Sequence, residues 1–386
     1  MIFEPPPVTD RERAVLARVA ALQESLRQNV RDPRRWVGSL RRVSMARAIQ
    51  GSNSIEGFNA KVDDVAAIDL GEDPLDASQG THLALRGYRD AMTYVLQLST
   101  DPDFSHSESL LKSLHFMMTS YDMKARPGLW RSGTIYVNDD ESGRIVYEGP
   151  DVALVAPLMS ELVGNLNRRT TEEPIIRAAM AHLNLVMIHP FRDGNGRMGR
   201  CLQTLVLARQ GIIAPVFSSI EEYLGKNTRA YYDVLASVGD GSWQPERDAL
   251  LWVRFTLTAH LRQATTMLRR VHESEQLWEE LVRLLSQRKV PDRALVAVFD
   301  AAIGMRVRNS TYRAIASLES EEITEATALR DLKQLVEVGL LNAHGERRGR
   351  YYTAGEPLRA IRKTIRDQQP ASDDVDPFAT SHHKAT

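Results

Sequence analysis

The chain has 386 residues, is 43% apolar and 26% charged, and carries a formal net charge of -1. These are the proportions of a globular protein of two or three units, with no global charge to draw it to nucleic acid or a membrane surface. The single cysteine, Cys201, excludes an intrachain disulfide and a cysteine-based zinc cluster. No apolar run approaches the roughly 20 residues that span a bilayer, and MIFEPPPVTDRER lacks the basic-then-apolar order of a signal peptide. A cytoplasmic protein without membrane partners is expected.

Pro5, Pro6 and Pro7 form a stiff lead-in to a helix that Thr9 or Asp10 can cap and that carries Val15, Leu16, Val19, Leu22 and Leu26 at helical spacing. A second helix is expected from about Pro33, with Trp36, Leu40 and Val43 on one side, ending near Gly57. Gly71 to Gly80 reads as a loop, followed by helices over His82–Leu98 and Ser107–Thr119. Gly133 to Gly149 differs: Ile135 and Val137 alternate with polar partners, a turn-rich stretch follows, and Ile145-Val146-Tyr147 returns, which predicts a β-hairpin. Helices resume at Val152–Asn167 and Glu173–Met187, break at His189–Gly196, and continue with Met198, Leu202, Leu205 and Val206 as far as Gly211. A long amphipathic stretch runs from about Pro245 to Gln287, and Pro291 marks a boundary. Beyond it, three short helices and a hairpin with the basic turn Arg347-Arg348-Gly349-Arg350 predict a winged helix-turn-helix. The tail is polar and is expected to be partly disordered.

The chemistry concentrates in His189-Pro190-Phe191-Arg192-Asp193-Gly194-Asn195-Gly196-Arg197-Met198-Gly199-Arg200. Gly194 and Gly196 let the backbone approach a ligand closely, at the start of a helix whose unpaired N–H groups favour an anion. Asn195 can add a side-chain donor. Arg197 and Arg200, three apart, lie on one side of the first turn and suit phosphate. Asp193 offers a hard oxygen to Mg²⁺, and His189 is the natural general base. Cys201 reads as a small buried apolar residue.

His189 to Arg200 fits H-x-F-x-[DE]-G-N-G-R-x-x-R at every specified position, and the chain resembles the Fic family, including the N-terminal region of its bacterial branch and the winged helix that often follows the core. The fold that this resemblance implies is mainly α: a Fic helical core with a β-hairpin flap, then a winged helix-turn-helix. Its implied division is an N-terminal helical region (1–105) with an inhibitory helix at about 36–57, a catalytic core (106–244), a helical connector (245–290), a winged helix (291–357) and a tail (358–386). The implied reaction is AMPylation, in which AMP passes from ATP to a Ser, Thr or Tyr hydroxyl of a protein and pyrophosphate leaves. In it His189 deprotonates the hydroxyl, Asp193 holds Mg²⁺ between the α- and β-phosphates, Gly194 to Gly196 with Asn195 stabilise the α-phosphate, and Arg197 and Arg200 grip the β- and γ-phosphates.

Ser52-Asn53-Ser54-Ile55-Glu56-Gly57 fits the family's inhibitory pattern [ST]-x-x-x-E-[GN], with Ser52 and Glu56 on one helix face. The resemblance implies that Glu56 salt-bridges Arg200 and blocks the γ-phosphate. It also implies that the hairpin lies over the site with Thr134, Ile135 and Tyr136 as nucleotide-lining candidates, that Tyr231 and Tyr232 stand near the adenine, and that His182 is a buried structural residue. It allows a homodimer and a second activity in which Glu56 orients water to remove AMP. A different reading is a DNA-binding regulator whose core senses nucleotide, with Arg330, Lys333, Arg347, Arg348 and Arg350 on phosphates; nearby Glu322 and Glu325 oppose it.

Overall fold

The computed structural model describes residues 1–31, 34–138, 143–211, 215–318, 322–369 and 375–379. Arg348 has its backbone described but not its side chain, so the expectation for it lies outside the described residues. The N-terminal pair of helices is α1 (Asp10–Val30) and α2 (Arg35–Ile55). Thr9 caps α1 in a reciprocal box with Glu12, which also accepts from Arg254 and so ties α1 to a distant helix. Helix α3 (Val62–Asp69) was not anticipated: it is only eight residues long and its apolar run is too short to show a period. Then come α4 (Gln79–Leu98) and α5 (Glu108–Thr119), started by Ser78 and Ser107, whose side chains accept from Thr81 and Leu110 N–H.

Strands β1 (Tyr136–Asn138) and β2 (Ile145–Glu148) pair antiparallel, and β3 (Gly241–Ser242) joins β2 in parallel. Between β2 and β3 lie α6 (Val152–Asn167), α7 (Pro174–Ile188), α8 (Asn195–Arg209), the short α9 (Pro215–Ser218), α10 (Glu221–Lys226) and α11 (Thr228–Gly239). Helices α7 and α8 are buried over most of their length and form the centre of a first core.

Helix α12 (Leu250–Gln287), 38 residues and about 57 Å long at 1.5 Å per residue, leaves that core and enters a second. The second core holds α13 (Leu295–Ala302), α14 (Asn309–Leu318), α15 (Glu325–Glu337), the antiparallel strands β4 (Leu341–His344) and β5 (Tyr351–Ala354), and α16 (Glu356–Asp367). It also takes in Leu26 and Val30 of α1 and Trp36, Val37 and Leu40 of α2. Helices α1, α2 and α12 therefore each belong to two cores at once. A division of the chain into consecutive segments does not capture this, because the first forty residues pack against the last hundred.

The tail expected from 358 begins as helix. Leu358, Ile361 and Ile365 recur at helical spacing among charges, and Leu358 and Ile365 are buried. Past it, Phe378 packs under the Arg254 guanidinium on α12. No helix among the described residues is long and apolar enough to cross a membrane.

Candidate active site

The site forms where α7 ends and α8 begins. His189 terminates α7 in the left-handed conformation (φ 50°), which turns the chain sharply into the loop 190–194. Its Nδ1 lies 3.1 Å from the Val186 carbonyl, which can only accept, so Nδ1 carries the proton and Nε2 is left as the basic nitrogen. Burial lowers the His189 pKa below its ordinary value, which keeps the ring neutral near pH 7.

The loop is braced from both sides. Asn195 accepts from Phe191 N–H at 2.9 Å and donates to the Phe191 carbonyl at 2.9 Å. Its amide thus braces the loop through Oδ1 and one of its two N–H groups. His115 of α5 donates from Nε2 to the Asp193 carbonyl at 2.9 Å, accepts the Gly128 N–H at Nδ1 at 2.9 Å, and stacks on Phe191. Burial pushes its pKa down to about 4, and its two bonds require the neutral ring. Nothing in the sequence marked His115, which reads there as one polar residue on an apolar helix face.

Gly194 has φ 74°, and a side chain there would meet Thr119. The first N–H groups of α8 have no intrahelical acceptor and face outward from the loop. Asp193 is exposed, and its Oδ1 accepts Gly194 N–H at 2.7 Å. No group of three or more His, Cys, Asp or Glu converges on one point among the described residues. A single free carboxylate beside a helix N-terminus fits Mg²⁺ that arrives with phosphate oxygens as its other ligands.

Arg197 and Arg200 are each about 1% exposed. Arg197 donates to Tyr121 Oη at 3.1 Å and lies against the rings of Phe58 and Tyr121. Arg200 donates from Nε to Ser52 Oγ at 2.8 Å, and from Nη2 to the Ser52 carbonyl at 2.9 Å and Glu56 Oε1 at 2.7 Å. Burial works against the Arg200 charge, but Glu56, Tyr231 and Tyr88 together outweigh it and hold the pKa above the usual arginine value. Glu56 also comes so close to Gly196 that any side chain there would collide with its carboxylate.

The remaining candidates fall into two groups. Tyr231 is enclosed, its hydroxyl 3.0 Å from His182 Nε2, so it supports the site from within the core and cannot touch a ligand. Tyr232 is half-exposed and donates to the Ile55 carbonyl at 3.2 Å, at the end of α2. His182 itself is buried between Tyr231 and Gln203, 2.6 Å from the Gln203 oxygen. Thr134 and Tyr136 are exposed and Ile135 half-buried on the flap, and the Ile135 carbonyl accepts Gly149 N–H at 3.2 Å. Arg131, an unremarked arginine just before the flap in the sequence, anchors the flap to the site. It donates to the carbonyls of His189 (2.9 Å), Gly133 (2.7 Å) and Pro150. In the C-terminal unit Arg330, Lys333, Arg347 and Arg350 are exposed, with Lys333 3.6 Å from Glu337.

Residues 105–207, which contain α5, β1, β2, α6, α7 and most of α8, match the Fic/DOC family. The chain carries a Fic domain. It is 32% identical over 168 residues to the protein adenylyltransferase Fic of Culex quinquefasciatus, covering 42% of this chain and 31% of the relative. It is 39% identical over 101 residues to protein adenylyltransferase fic-1 of Caenorhabditis elegans, covering 25% of this chain and 18% of that one. The chain thus matches no more than about a third of these relatives' length. In fold, it resembles a Fic family protein from Desulfovibrio desulfuricans G20 with a TM-score of 0.57 at 21% identity, over 92% of this chain and 99% of that one.

Proposed function

We propose that this chain is a protein adenylyltransferase held in check by its own second helix. The observation that carries the reading is the grouping of His189 and Asp193 at the start of α8, near enough to Glu56 for its charge to act on His189, with Ser52 and Glu56 bound to Arg200. The names of the relatives over the Fic domain support AMP as the group moved and ATP as its source.

In the proposed reaction, His189 Nε2 takes the proton of a Ser, Thr or Tyr hydroxyl on a target protein. The hydroxyl oxygen forms a bond to the α-phosphorus of ATP, the α–β bridging bond breaks, and pyrophosphate leaves. The N–H groups of Gly196 and Arg197 at the α8 start face the charge that develops on the α-phosphate, and Arg197 and Arg200 draw the remaining phosphates. Mg²⁺ held by Asp193 would offset phosphate charge when bound. The flap, fixed by Arg131, offers an edge on which an extended target segment can add as a strand. Glu56 places a carboxylate beside Arg200, where a terminal phosphate would have to bind, and repels it.

The test is transfer of label from α-labelled ATP by purified Glu56→Gly protein to itself and to lysate proteins. Labelling well above that of the unaltered chain, abolished by adding His189→Ala, is expected. Absence of labelling from Glu56→Gly protein with every nucleoside triphosphate would sink the reading.

A further inference from the structure

Away from Arg200, helices α2, α12, α13 and α16 line a small cavity of about 80 Å³ that opens to solvent. Its wall carries Arg47, Arg270, Arg362 and Arg366, with Phe299 in the apolar floor and Glu273 as the carboxylate in the lining. Three separate helices contribute these arginines.

The negative charge nearby is largely committed to other cations, although Glu222 still favours the Arg47 charge and Glu273 that of Arg362. Glu222 binds Arg270 at 2.6 and 2.7 Å and Lys226 at 2.6 Å, and reaches Arg47 only at 3.8 Å. Glu273 lies 3.6 Å from Arg269, outside the lining. Among the described residues, Arg362 and Arg366 have no carboxylate within ion-pair distance, and Arg47 Nε is buried with no hydrogen-bond partner. The arginines feel one another: burial and then the Arg270 charge lower the Arg47 pKa, and burial and then Arg366 lower that of Arg362. A fold gains nothing from gathering like charges, and their repulsion strengthens where solvent is partly excluded, as at Arg47, Arg270 and Arg362, while Arg366 stands exposed at the rim. An anion with several charges and planar oxygen faces reverses the sign of every one of these interactions.

We infer that this cavity binds a small molecule bearing two or more phosphates, at a site separate from the one proposed for ATP. Such a ligand would join α2, the helix that carries Ser52 and Glu56, to α16 at the far end of the chain.

Inorganic triphosphate titrated calorimetrically into the full-length protein at low salt tests this without any transfer activity. Arg362→Gln/Arg366→Gln and, on a different helix, Arg47→Gln should each weaken one binding event at least tenfold. Without ligand, Arg362→Gln/Arg366→Gln should melt no lower than the unaltered chain, because repulsion is relieved. If the unaltered chain binds no triphosphate, or if every binding event survives both sets of substitutions, the inference is overturned.

Discussion

Glu56 Oε1 lies 2.7 Å from Arg200 Nη2, with Arg200 about 1% exposed and the Glu56 side chain 21% exposed. The pair is therefore asymmetric. Arg200 is enclosed and needs an anionic partner, whereas Glu56 sits at the last turn of α2 with water on one side. Removing Glu56 leaves a buried charge to be met by another anion, and a phosphate is such an anion.

Ser52 shares the task unequally with Glu56. Ser52→Ala removes one bond to Arg200 Nε but leaves the Ser52 carbonyl and Glu56 in place. A hydrogen bond to a charged group is worth about 1.5–3 kcal/mol, so Ser52→Ala should relieve inhibition by roughly ten- to a hundredfold, and less than Glu56→Gly does. Self-labelling rates with α-labelled ATP would rank Glu56→Gly above Ser52→Ala above the unaltered chain. A Ser52→Ala rate equal to that of the unaltered chain would remove Ser52 from the restraint.

The seat of α2 is set by two glycines. A side chain on Gly51 would come within 2.5 Å of the Glu221 carbonyl, and one on Gly225 within 2.6 Å of Gly51 Cα, so α2 and α10 meet backbone to backbone. Gly51→Ala must push α2 off α10, and it carries Ser52 and Glu56 away from Arg200. The expected result combines a lower melting temperature, by several degrees, with raised labelling. Loss of stability without a gain in labelling would show that the displacement does not reach Glu56.

The elements that the sequence disclosed are those whose signal is local. Capping by Thr9 and the stops at Gly57 and Gly211 could be read from neighbours, as could the turn from α7 through His189 into α8. So could the close grouping of His189, Asp193, Gly194 and Arg197, since they lie close together in the chain. The Ser52–Arg200 contact joins residues 148 apart and was reachable only through resemblance. His115, Arg131, Tyr121 and Phe58 escaped notice because their roles depend on which side chains face them across other helices. The bracing of Phe191 by the Asn195 amide, four residues along, depends on the turn between them and has no sequence signal. Helix α16 was hidden by composition: its charges outnumber the Leu358, Ile361 and Ile365 stripe that packs it.

Arg131 tests whether flap and base are one unit. Its guanidinium spans three carbonyls, those of His189, Gly133 and Pro150, and its own N–H reaches Pro190 O at 2.8 Å. Lysine keeps the charge but cannot fork between them. Arg131→Lys in the Glu56→Gly background should lower the maximal labelling rate by roughly tenfold or more, since misplacing a reacting group by about 1 Å can cost that much or more. The His189 pKa measured by NMR should shift little, because charge is retained. An unchanged labelling rate would show that the flap holds its place without Arg131.

Stability should fall on acidification, and the buried histidines set the window. Burial lowers the pKa of His115 and His106 to about 4 and of His182 and His260 to about 3, against 6.5 in the unfolded chain. Below pH 6.5 the unfolded chain takes up protons that the folded chain refuses. The contribution of these groups is therefore complete above 6.5 and is lost as pH falls toward 3 to 4, at most about 1.4 kcal/mol per pH unit for each. Glu221 acts in the opposite sense. Burial raises its pKa to about 7 from 4.5, so its contribution is complete below 4.5 and is lost as pH rises through 7. Urea midpoints at pH 7, 6 and 5 should decrease in that order, because the four histidines outweigh Glu221 together with the smaller upward shifts that burial gives Asp69, Glu172 and Asp300. Glu221→Gln keeps the neutral shape and removes that part of the opposing effect, so its midpoints should fall more steeply over the same range. A slope no steeper than that of the unaltered chain would mean that Glu221 is already ionised in the folded protein, and that the hydrogen bonds from Tyr88 and Thr204 outweigh its burial.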